Sequence, residues 1–128
     1  MIITVTTSKG NKATLEYTYD GVPLGRSAYT VKDSVKIIPP EENNNGLLTH
    51  ELTHVDQWYQ YKLFTFRYKK FWKFRMKMEA EAYAAQLMAD SDENRIVEYS
   101  QLLSQNYNLG ITEKEAATAI LEAAKGIG

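Results

Sequence analysis

Leu47-Leu48-Thr49-His50-Glu51-Leu52-Thr53-His54-Val55-Asp56-Gln57-Trp58-Tyr59-Gln60-Tyr61 is where the chain changes its hydrophobic period. Leu48, Leu52, Val55 and Tyr59 recur at helical spacing. His50, His54, Gln57 and Tyr61 form a second stripe about two residues out of phase. Two residues amount to 200° on a helix, so the stripes point apart: one meets a core, the other presents two imidazoles.

Upstream of this helix the pattern is that of strands. Ile3, Val5 and Thr7 alternate with polar positions, Ser8-Lys9-Gly10-Asn11 supplies a turn, and Leu15, Tyr17 and Tyr19 alternate again. Ala28 to Val31 and Val35 to Ile38 are two further extended pieces, ended by Pro39-Pro40. Downstream, a second long helix is expected over Lys70 to Asp90, separated from the first by a bend, and a third over about Asp92 to Gln105. Asn108-Leu109-Gly110 stops it, and Thr112 with Glu115 has the spacing of a capping box opening a last helix to about Lys125. The expectation is one α+β domain over residues 1–128. A small antiparallel sheet occupies about 1–40 and about four helices occupy about 47–125, with the histidines on the first long helix.

Composition narrows the chemistry. The 128 residues fit one domain, and the formal net charge of -1 gives no global argument for nucleic acid or membrane. Cysteine is absent, so disulfides and thiolate metal sites are excluded, and any metal must sit on His, Asp or Glu. The first residues read as a strand rather than a signal peptide, and no run approaches the ~18 apolar residues of a membrane span. A cytoplasmic protein, or a component of a particle assembled in the cytoplasm, is the expectation.

His50-Glu51-Leu52-Thr53-His54 is an HExxH pattern, and both histidines of the chain fall in it. Four residues along a helix put both imidazoles on one face, where they can reach a single Zn²⁺ at ~2.0–2.1 Å. Glu51 is rotated by 100° from His50, placed to act as general base towards a water that zinc has made acidic. A catalytic zinc takes three protein ligands, and without a third His or a Cys a carboxylate must complete the set. Glu79 and Glu81 are the candidates. They point to opposite sides of one helix, so only one of them can serve.

These residues resemble the compact gluzincin-type zinc metallopeptidases, in which HExxH is followed by a helix bearing E-x-x-A-D or a near variant. Glu79-Ala80-Glu81-Ala82-Tyr83 is similar to that, with Tyr where Asp is usual. Ala28-Tyr29-Thr30-Val31, Ile37-Ile38-Pro39 and Leu47 to Val55 with Gln57 look closest to the predicted-metallopeptidase core domain of extracellular contractile injection systems, and the similarity covers about Ala28 to Met88. The resemblance implies hydrolysis of a peptide or protein, Glu79 as third ligand, and an edge strand near Val35 to Ile38 that aligns the substrate. It also implies that Tyr83 takes the place of an Asp that orients a zinc-binding imidazole. Tyr29, Tyr61 and Arg26 are candidates for stabilising the developing oxyanion. A zinc-binding structural or assembly protein without hydrolysis is the alternative reading.

Between Tyr59 and Met78 lie seven Lys or Arg and no acid, interleaved with aromatics, whereas Glu79 to Gly128 carries nine acids against three bases. Residues 58–77 fit a helical hairpin with rings inward and cations solvated. They also have the makings of a surface that stacks bases, lies on a membrane or docks an acidic protein, and the acidic protein partner is the functional expectation.

Overall fold

A computed structural model describes residues 1–127 as a four-stranded sheet followed by five helices, an α+β arrangement. β1 (Ile2–Thr6) and β2 (Lys12–Tyr17) form an antiparallel hairpin, and β3 (Ala28–Val31) and β4 (Ser34–Ile37) form another. The turn of the first is closed by Thr7 N–H donating to the Asn11 carbonyl at 2.8 Å and contains Gly10 at φ 85°. The hairpins join through β2 and β4, which run parallel, giving the order β1-β2-β4-β3. The sheet is therefore mixed rather than antiparallel. The edge strand beside the site is β3, not the segment near Val35 to Ile38, which lies centrally between β2 and β3. Burial explains the placement: Val35 and Ile37 are fully enclosed, as central strands demand, while Tyr29 and Val31 face outward.

The helices are α1 (Asn45–Gln60), α2 (Phe64–Lys70), α3 (Trp72–Asp90), α4 (Ile96–Asn106) and α5 (Glu113–Ile127). Asn44 caps α1, its side chain accepting from the Leu47 N–H at 3.0 Å. The bend expected after α1 falls at two places: Leu63, with φ 56°, and Phe71, whose extended backbone separates α2 from α3. That extra short helix makes five where about four were expected. Thr112 and Glu115 form the capping box reciprocally, with bonds of 3.1 and 3.0 Å.

Two apolar clusters flank the α1–α3 seam. Val55 of α1 packs with Ala13, Leu15, Ala28, Val35 and Ile37 of the sheet. On the far side, Tyr83, Ala84 and Leu87 of α3 pack with Tyr99, Leu103 and Ile120 of α4 and α5. α1 starts close against the end of α3. A Cβ on Gly46 would stand 2.0 Å from Asp90 Oδ1, so any larger residue there would have to displace the Asp90 carboxylate.

Candidate metal centre

The seam between the clusters is polar. His50 and His54 project from α1 one turn apart, and Glu79 meets them from α3. Glu79 Oε1 lies 3.3 Å from His50 Nε2 and 3.2 Å from His54 Nε2. Ligand atoms held at ~2.0–2.1 Å around a tetrahedral ion stand about 3.3 Å apart, so these separations suit one cation. All three candidate ligand atoms fall within 4.8 Å of one another, and His50 and Glu79 are buried. This His-His-Glu group can hold a metal ion.

The outer nitrogens of both rings are fixed by glutamines. His50 Nδ1 meets Gln86 Oε1 at 2.9 Å and His54 Nδ1 meets Gln57 Oε1 at 2.9 Å. Gln57 Nε2 donates to the Met78 carbonyl at 2.9 Å and to Glu81 Oε1 at 3.1 Å, which assigns its oxygen to the imidazole. His54 therefore carries hydrogen on Nδ1 and aims Nε2 at the centre. Tyr83 does not supply the orienting hydrogen bond anticipated for it. Its ring packs edge-on to His50 with centroids 4.5 Å apart, while its hydroxyl pairs with Tyr107 at 2.7 Å. Gln86, one turn along the same face, reaches Nδ1 where the larger phenol overshoots. Among the described residues, Glu81 is joined to the site only through Gln57. Because such partners typically tune metal affinity by ~10–100-fold, Gln86→Ala should weaken metal binding by about that factor with the fold intact, measured by competition with a chromophoric chelator. An unchanged affinity would remove Gln86 from the site.

The second oxygen of Glu79, Oε2, accepts from the Tyr68 hydroxyl. Burial, then the Glu79 charge, push that phenol well above its ordinary value, so Tyr68 stays a donor. Sequence reasoning missed Tyr68, because the break at Phe71 destroys any helical phase between it and Glu79. Glu51 accepts from Thr30 Oγ1 at 2.6 Å, and its Oε2 lies 3.9 Å from His50 Nε2, beside the ligand set rather than in it. A cavity of about 240 Å³ opens on Glu51 and His54, bounded by Tyr29, Trp58, Phe64 and Tyr68. Another, of about 350 Å³, opens on His50 and Glu51 from the side of Tyr99 and Tyr107. Arg26 borders both. Tyr61 borders neither; it packs edge-on against Phe74.

Burial disfavours a charge on His54, but the Glu79 carboxylate and its hydrogen bond outweigh this and raise the imidazole to about 9. Burial likewise works against the Glu79 charge, and the neighbouring imidazoles overcome it, holding the carboxyl far below its usual range. The raised His54 stabilises the metal-free protein fully below its ordinary value of 6.5, and that contribution is lost as pH climbs through about 9. A cation must displace the same proton. The gain in melting temperature on metal loading should therefore widen between pH 6.5 and 9, read by scanning fluorimetry on loaded and chelated protein. A constant gap would mean that His54 surrenders no proton to the metal.

No protein-family model, curated protein or solved structure matches this chain.

Proposed function

We propose that this chain is a zinc-dependent peptidase of gluzincin type acting on a peptide or protein. The observation that carries the reading is the convergence of His50 Nε2, His54 Nε2 and Glu79 Oε1 on one point, with Glu51 beside it at the floor of an open cavity. Two imidazoles and one carboxylate suit zinc in its catalytic form, with a fourth position left for water or substrate. Zinc held there supplies a Lewis acid that brings the pKa of a water towards ~7.

The remaining work falls to the chain. Glu51, held by Thr30, takes the proton of the attacking water and later delivers it to the leaving amine. The peptide lies along β3, which pairs only with β4 among the described residues and so offers a free backbone edge. Thr30 links that strand directly to the general base. Arg26 at the cavity rim is the donor that faces charge developing on the carbonyl oxygen, since Tyr68 gives its single O–H to Glu79.

Purified protein should contain one zinc per chain, counted by elemental mass spectrometry. Since the site exists only in the folded state, stripping the metal should lower the melting temperature by about 10 °C. Protein free of metal after zinc-supplemented preparation, with the same melting point in chelator, would overturn the assignment.

A further inference from the structure

We propose that the tip formed by Leu63, α2 and the start of α3 docks on an anionic membrane surface. α2 encloses none of its residues fully: Phe64, Arg67 and Tyr68 are half-buried, while Thr65, Phe66, Lys69 and Lys70 are exposed. Leu63, Phe66, Phe71 and Trp72 are 73%, 55%, 52% and 44% exposed. Phe66 and Phe71 touch edge to face with ring centroids 6.3 Å apart, Leu63 lies one turn before Phe66, and Trp72 follows directly. Phe66 and Phe71 make one exposed apolar contact, and Leu63 and Trp72 add exposed apolar surface on either side of it in the chain, more than single residues scattered over a surface. Leu63 sits in the left-handed region at φ 56°, a conformation unfavourable for its side chain that turns the chain outward from α1.

Cations surround the projection. Lys62, Lys69, Lys70 and Lys73 are exposed, no acid lies between Tyr59 and Met78, and none of these lysines is in an ion pair among the described residues. The two arginines of the stretch are turned to internal use. Arg67 lies over the Phe74 ring at 4.2 Å, and Arg75 bonds the carbonyls of Tyr68 and Tyr107 at 2.8 and 2.9 Å. What faces solvent is therefore lysine with Leu, Phe and Trp. Protein interfaces are enriched in arginine and depleted of lysine, and sequence-tolerant nucleic-acid grooves add arginine to their aromatic stacking platforms. Flexible point charges around an apolar wedge instead suit the diffuse negative field of phospholipid headgroups. Among the described residues no helix is long and apolar enough to cross a bilayer, so the contact is superficial. Phe64, Thr65 and Tyr68, also on α2, line the cavity at Glu51, which sets the docking face at the lip of the metal centre.

The test is sedimentation with vesicles of phosphatidylcholine alone or with about one-third phosphatidylserine, at about 0.1 M salt. Trp58→Phe leaves Trp72 as the single indole reporter. Binding should be confined to anionic vesicles, blue-shift the Trp72 emission and fade at high salt. Each of Lys69→Gln and Lys70→Gln should weaken it about fivefold. Phe66→Ser with Phe71→Ser, both at exposed positions, should weaken it by at least about tenfold, with the circular dichroism spectrum unchanged. No binding to anionic vesicles, equal binding to neutral ones, or full binding after loss of both phenylalanines would overturn the proposal. Capture of polyglutamate or an oligonucleotide without vesicle binding would likewise overturn it and assign the face to an acidic protein or to nucleic acid.

Discussion

Glu51→Gln should abolish hydrolysis, with a loss of ~10²–10⁴ in rate, while zinc content and melting temperature stay close to those of the parent protein. The amide cannot take a proton from water at neutral pH, yet its oxygen can still accept the Thr30 hydroxyl bond that now holds Glu51 Oε1 at 2.6 Å. The side chain lies beside the ligand set, 3.9 Å from His50 Nε2, so its charge is not needed to complete the metal's first shell. The readout is cleavage of a peptide library by both proteins, alongside elemental analysis. A glutamine variant that cleaves at the parent rate would dismiss Glu51 as the base. Zinc-loaded parent protein that cleaves nothing would leave an assembly or structural role for the same centre.

Glu79→Ala should cost more than about 100-fold in zinc affinity, beyond what the loss of an orienting partner costs. The substitution removes the oxygen that both imidazoles face and leaves the Tyr68 hydroxyl without its acceptor in a buried place. Glu81→Ala is the contrast. It removes one of two acceptors from Gln57 Nε2, and the Met78 carbonyl at 2.9 Å still holds that amide. A large loss confined to the Glu81 variant would reverse the roles, and small equal losses would mean that neither carboxylate binds metal.

Much of this centre was legible in the sequence because it lies on helices. The 3.6-residue period fixes which of His50, Glu51 and His54 share a face, and the same period sets Glu79 and Glu81 on opposite sides. The short-range stop and start signals were legible as well, as at Thr112 and Glu115. Strand pairing was less so. Alternation in Leu15–Tyr17 and Val35–Ile37 marks both as strands but says nothing of which edges meet or whether they run parallel. A run as apolar as Val35-Lys36-Ile37-Ile38 carries the mark of a central strand, and β3, with Tyr29 and Val31 outward, that of an edge. The break at Phe71 has neither Pro nor Gly to announce it, and Arg75 reaches back across it to the carbonyls of Tyr68 and Lys69. With it went the phase that would have brought Tyr68 to Glu79. Gln57 and Gln86 were visible as members of the right faces. Their roles depend on reach to Nδ1, which side-chain length and helix separation decide together.

The placement of the ligands between two apolar clusters bears on how the molecule comes apart. α1 belongs to the sheet cluster and α3 to the cluster of α4 and α5, and the polar seam between them is bridged by His50, His54 and Glu79. The two clusters share no buried residue, and the packing of α1 against α3 is what joins them. A cation held by both helices would bridge the two clusters, so that parting them would require giving up the bound ion. Metal loading then does more than stabilise the chain. By tying α1 to α3 through one shared ion, it would raise the cost of parting the two clusters and, with it, resistance to proteolysis at that seam.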